Sequence, residues 1–181
     1  AWTMIPFLIL VVVAFPTVFT ILNISHRSAD AMKISVYGQQ WWWSYEYDLN
    51  GDGKPEIITA NDLVIPVNEK VELQVHSRDV IHSFWIPALA GTRDAVPGRT
   101  QYLELEASKV GTFDGQCKEY CGLSHANMRA RAVVMSPSDF QQWTTDNQKD
   151  APTPASGSQA AAGLETELAS MGRAFRLREA A

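Results

Sequence analysis

Two thiols, an imidazole and a thioether fall within twelve residues, in Gly115-Gln-Cys117-Lys-Glu119-Tyr-Cys121-Gly-Leu-Ser-His125-Ala-Asn-Met128. Counted from Cys117 they stand at offsets 0, 4, 8 and 11. Thiolate and thioether are soft donors suited to Cu(I), and imidazole suits both copper oxidation states. His82, in Asp79-Val-Ile-His82-Ser-Phe-Trp, lies at the end of a predicted strand and is a candidate fifth donor. A Cys117–Cys121 disulfide is natural outside the cytoplasm, but it leaves His125 and Met128 unexplained. Structural zinc accepts the C-x3-C spacing, yet Met is a poor zinc ligand. A mononuclear blue-copper site takes one Cys, two His and a weak axial Met, so here one Cys is left over. Two thiolates bridging two coppers, each copper with one His and one weak axial donor, use every residue of the set.

Such donors need a rigid frame. Residues 31–37, 41–47, 63–67, 71–76, 83–86, 101–106 and 129–135 are β-branched or aromatic-rich runs punctuated by Gly, Pro, Asn and Asp. Residues 71–75 and 102–106 alternate apolar and polar, as half-buried antiparallel strands do. About seven short strands predict a mainly β fold, a Greek-key sandwich or barrel. Alternating Trp41, Trp43, Tyr45 and Tyr47 read as one face of a core strand. Ser136-Pro-Ser-Asp139 predicts a helix start, with Ser136 as N-cap and Phe140 and Trp143 on its apolar face.

The frame has a head and a tail. Residues 1–22 carry no charge and, at about 1.5 Å per residue, reach across a bilayer core. This predicts a transmembrane helix within residues 1–27, ahead of a domain at 28–150. The chain begins inside the apolar run, so sequence is expected upstream. Residues 151–181 read as a Pro/Ala/Ser linker and a short amphipathic helix over 164–177. The domain holds 17 acidic against 11 basic side chains, and the chain's net charge is −5. That charge argues against a nucleic-acid partner and suits a basic protein partner met by electrostatic steering.

Asp48-Leu-Asn50-Gly-Asp52-Gly53 fits the opening of a calcium loop, although Thr59 stands where the loop's closing Glu belongs. Asn-Gly and Asp-Gly are also strong hairpin signals, so a plain turn competes with the calcium reading.

Cys-x3-Cys-x3-His-x2-Met with the upstream Asp-Val-x-His-Ser-Phe resembles the dinuclear copper A site of subunit II of haem–copper cytochrome c oxidases. Three further segments resemble that family: Gly38-Gln-Gln-Trp41-Trp-Trp43-Ser-Tyr-Glu-Tyr47, Asp94-Ala-Val-Pro-Gly-Arg99, and Trp2-Thr-Met-Ile-Pro6. The resemblance implies a cupredoxin-like Greek-key β-barrel, anchored by the N-terminal helix to a cell membrane and held on its periplasmic face. It implies that Cys117 and Cys121 bridge both coppers. His82 and Met128 then complete one copper, while His125 and the Glu119 carbonyl complete the other. The Glu119 side chain is implied to face the catalytic subunit and help bind magnesium. Trp41 is implied to receive electrons from cytochrome c, and Asp94 and Arg99 to lie at the subunit interface. The implied partners are catalytic subunit I, other oxidase subunits, cytochrome c or a cytochrome c-bearing complex, and the lipid membrane. Two other readings stay open: a membrane-anchored copper-delivery module, and the copper A domain of a nitrous oxide reductase.

Overall fold

The computed structural model describes residues 2–24 and 27–149. The predicted linker and the helix over 164–177 lie outside the described residues. The apolar head forms α1 (Met4–Ile24), 21 residues long with Pro16 inside it. Its segment Met4–Asn23 has a mean hydropathy of 2.6 and is long and apolar enough to cross a membrane. None of that segment is buried against the other described residues.

Two sheets form the domain. The larger contains β1 (Met32–Gln39), β2 (Trp42–Tyr47), β3 (Ile57–Ala60), β5 (Lys70–Ser77) and β8 (Gln101–Glu106), in the order β3-β2-β1-β5-β8. The smaller contains β4 (Asp62–Pro66), β9 (Gly111–Gln116) and β10 (Arg129–Met135), in the order β4-β10-β9. A short pair, β6 (His82–Phe84) and β7 (Arg93–Ala95), lies beside them.

The two sheets share one apolar core. Val71, Leu73 and Val75 point inward from β5, Leu63 and Ile65 from β4, and Ala130, Ala132 and Val134 from β10. Tyr47 pins the sheets together. Its hydroxyl accepts from Val64 N at 2.7 Å and donates to Val64 O at 3.1 Å. A buried Tyr whose hydroxyl is paired keeps its apolar area without an orphaned polar group. After β10 the chain enters α2 (Pro137–Lys149), where Ser136 caps the Asp139 N–H as predicted. Trp143 of α2 packs edge-on against Tyr47 with ring centroids 5.3 Å apart.

Among the described residues there are ten strands where the sequence predicted about seven. The additions are β3, β7 and β9, of four, three and six residues. β9 reads Gly-Thr-Phe-Asp-Gly-Gln, a poor strand by propensity. It is held in place by antiparallel pairing to β10. β5 is antiparallel to β8 as expected but parallel to β1. The aromatic alternation starts one step late: Trp43, Tyr45 and Tyr47 are fully buried, while Trp41 sits in the turn before β2 and is 36% exposed.

Candidate metal centre

β6 is three residues long and wholly buried, which fixes His82 from both sides. Ser83 O accepts the Lys118 N–H at 2.9 Å and Trp85 O accepts that of Gln116 at 3.0 Å. The end of β9 is therefore laced to β6, bringing Cys117 to His82. From Cys117 the chain loops out and returns at Met128, whose carbonyl accepts the Cys117 N–H at 3.0 Å. A single 3-10 turn at His125–Asn127 turns the chain back into β10.

The six sequence-predicted metal-site residues meet within this frame. Cys117 Sγ lies 3.9 Å from Cys121 Sγ, 3.9 Å from His82 Nδ1 and 3.2 Å from the Glu119 carbonyl. Cys121 Sγ lies 3.6 Å from His125 Nδ1 and 3.7 Å from Met128 Sδ. His82, Cys117, Cys121 and Met128 are buried, His125 is half-buried, and the Glu119 residue is otherwise exposed. Both cysteines are free thiols.

Second contacts orient these donors. Asp79 Oδ1 lies 2.7 Å from His82 Nε2, which leaves Nδ1 for the sulfur side. A carboxylate on the far nitrogen of a ligating imidazole fixes its tautomer and orientation. Gly38 makes room for the ring: a methyl group there would stand 2.9 Å from His82 Cδ2 and 3.1 Å from Trp43. Gly122, with φ 121°, allows the chain to reverse after Cys121. The Trp41 ring rests beside it, its Nε1 3.3 Å from where a Gly122 side chain would begin.

The two thiols ionise differently. Burial penalises the Cys117 thiolate, but hydrogen bonding to His82 and to the Ser83 and Glu119 backbone outweighs it and pulls its pKa down. Burial pushes the Cys121 thiol up, and the adjacent Cys117 charge adds to the rise. A metal cation held between the two sulfurs would favour both thiolates. Two buried sulfurs, two ring nitrogens aimed at them, a thioether and one carbonyl form a soft donor set that fits copper.

The remaining predicted residues lie around this cluster. Asp94 Oδ1 accepts from the buried Ser83 hydroxyl at 2.8 Å, one residue from His82. Arg99 is exposed on the loop after β7. At the calcium-like stretch, oxygens of Asp48, Asp52 and Glu56 come within 4.8 Å of one another. Asp48 already accepts from the Gly51 and Gly53 N–H groups, at 2.7 and 2.9 Å. Asn50 turns its amide nitrogen to Glu56 at 2.6 Å. These are the bonds of the turn reading. Sequence reasoning missed Gln40 and Gly38; their only signal is adjacency to the Trp run.

Residues 48–136 match the family described as cytochrome C oxidase subunit II, periplasmic domain. The cytochrome c oxidase subunit 2 of Branchiostoma floridae is 37% identical over 158 residues, which are 78% of this chain and 69% of that protein. That of Alkalihalophilus pseudofirmus is 38% identical over 148 residues, but these span 42% of its length. Among solved structures, the periplasmic domain of subunit II of cytochrome oxidase of Bradyrhizobium japonicum superposes with a TM-score of 0.63 at 34% identity. The match covers 70% of this chain and 99% of that one.

Proposed function

The chain belongs to the cytochrome c oxidase subunit II family, and from that premise we propose that it is the electron-input subunit of a membrane haem–copper terminal oxidase. It takes electrons from cytochrome c and passes them to haem in the catalytic subunit that reduces oxygen. The observation that carries this is the convergence of His82, Cys117, Cys121, His125 and Met128 on one buried point. A dinuclear copper A centre bound there supplies one-electron redox chemistry.

The chain's residues do the rest. Cys117, Cys121, His82, Met128, His125 and the Glu119 carbonyl would hold the metal ions. Asp79 keeps His82 from rotating, and Trp43 and Gly38 close on the same ring. A ligand set this constrained moves little between charge states, which suits electron transfer and is the reverse of what a copper-delivery module needs. Trp41 offers an exposed aromatic edge beside the metal loop and receives the electron. The exposed Glu119 carboxylate faces the neighbouring subunit, where it helps hold magnesium. α1 anchors the chain in the cell membrane, with the domain on the outer face.

Stopped-flow mixing tests this reading. The copper-loaded full chain in detergent is mixed with reduced cytochrome c. One cytochrome oxidised per chain, in a fast phase that Trp41→Phe slows, is the expected result. A chain that takes no electron from cytochrome c contradicts it.

A further inference from the structure

The turn between β1 and β2 is fastened at two points, one on the segment before β6 and one on the metal loop, and both run through Gln40. Its backbone N–H donates to Asp79 Oδ2 at 2.7 Å. Its side-chain Nε2 donates to the Cys121 carbonyl at 2.6 Å. The other Asp79 oxygen is the one that meets His82 Nε2, at 2.7 Å. Gln40 therefore links the residue that orients His82 to the peptide of Cys121 without touching a sulfur or a ring nitrogen itself.

The next residue is Trp41. Among the described residues, no hydrogen bond holds its indole. Its ring lies against Gly122, and Gln40 Nε2 lies closer still, 2.8 Å from where a Gly122 side chain would begin. With 36% of its surface exposed, Trp41 is open to a partner on one side and rests on the metal loop on the other. Nothing on its own side chain fixes that pose. The amide of its neighbour does, by tying the turn to the peptide of a cysteine whose sulfur faces the cluster.

We infer that Gln40 is a positioning residue that holds Trp41 against the metal loop at Gly122, next to Cys121, and so sets the rate of electron transfer into the metal centre. The inference rests on the reading of Trp41 as the residue that receives the electron. The chemistry is specific to the amide. Leu has nothing to donate, Glu would set a carboxylate against a carbonyl, and Asn is one methylene short. Each leaves the backbone bond to Asp79 in place.

The test uses the full chain in detergent, as Gln40→Leu, Trp41→Phe and the double variant, with two readouts. The first is the rate of reduction by cytochrome c, with copper content and EPR spectrum measured on each sample. The expected result is a slowing of about tenfold or more in Gln40→Leu, the size of effect a small misplacement brings, with copper content and spectrum unchanged. In the Trp41→Phe background the same change should slow reduction no further. The second readout needs no metal: with 5-fluorotryptophan incorporated, the apoprotein's Trp41 fluorine resonance, identified by its loss in Trp41→Phe, should move in Gln40→Leu while those of Trp85 and Trp143 stay.

A Gln40→Leu chain that is reduced at the normal rate overturns the inference, as does a slowing that multiplies with that of Trp41→Phe. Loss of copper in Gln40→Leu also overturns it, because Gln40 would then organise the metal site itself. If Trp41→Phe alone changes nothing, the reading of Trp41 fails and the inference fails with it. A slow Trp41→Phe beside a normal Gln40→Leu leaves that reading standing and removes only the inference.

Discussion

Two clusters of metal-ligand side chains occur among the described residues, and they differ in what their donor atoms face. Around His82, Cys117 and Cys121 the donors are buried and point at one another. Around Asp48, Asp52 and Glu56 they lie in an exposed loop and point at backbone N–H groups. The first set is soft and held from behind by Asp79, Gly38 and Trp43. The second is hard, and its carboxylates also accept the N–H groups of their own turn. Spacing alone flags both. What separates them is whether anything other than a metal satisfies the donor atoms.

The largest effect should come from cutting the support of the first cluster without touching a ligand. Asp79→Ala frees His82 Nε2 and should weaken Cu(I) binding by about 10- to 100-fold, the usual cost of losing such a partner. Competition with a Cu(I) chelator measures this, and unchanged affinity would mean that packing alone orients His82.

The second cluster predicts the reverse pattern. Asp48→Ala removes the acceptor of two loop N–H groups and should cost about 1 kcal/mol of stability in thermal unfolding. Copper content should not change. Millimolar calcium should leave the melting temperature of the unmutated chain where it was, and a rise with calcium would restore the calcium-loop reading.

The smallest effect concerns another carboxylate used as a backbone acceptor. Glu104 takes the Ser28 N–H at 2.8 Å and the Ser28 hydroxyl at 3.0 Å, and pairs with Lys70 at 3.3 Å. The Ser28 backbone bond is the main reason its pKa falls below the ordinary 4.5, with slight burial opposing and Lys70 assisting. A depressed carboxylate pKa gives stability that is present above the unfolded value and is lost as pH falls through the folded one. Protection of the Ser28 amide against hydrogen exchange should therefore hold at neutral pH and decline below about pH 4. Glu104→Gln should lack most of that protection at every pH. Equal protection in both chains would leave the Glu104 charge without a role there.

Much of this contrast was legible before the fold. Cys117, Cys121, His125 and Met128 lie on one loop, so their spacing carries the site. His82 was reachable as a residue at a strand end and through the Asp-Val-x-His-Ser-Phe resemblance, while its approach to Cys117 depends on β6 bonding to the end of β9. Gln40 and Gly38 were visible only as members of the Gly38–Tyr47 segment, since their roles exist only where two distant turns meet. The strands followed the same rule. β8 reads directly from its alternation and β10 from its Val-Val run, at residues 101–106 and 129–135. β9 has two Gly and an Asp, and becomes a strand through its partner. Trp41 looked like the first member of a core face, and only the pairing of Gln39 with Trp42 moves it into the turn. The stretch from Asp48 to Glu56 is a ligand-like pattern whose carboxylates also serve the backbone.

The most direct test is the EPR spectrum of the copper-loaded full chain, with copper and zinc counted on the same sample. One unpaired electron shared over two equivalent coppers, with two coppers per chain and loss of the signal in Cys117→Ser, is the predicted result. A single-copper spectrum, or zinc with no signal, would contradict the dinuclear centre.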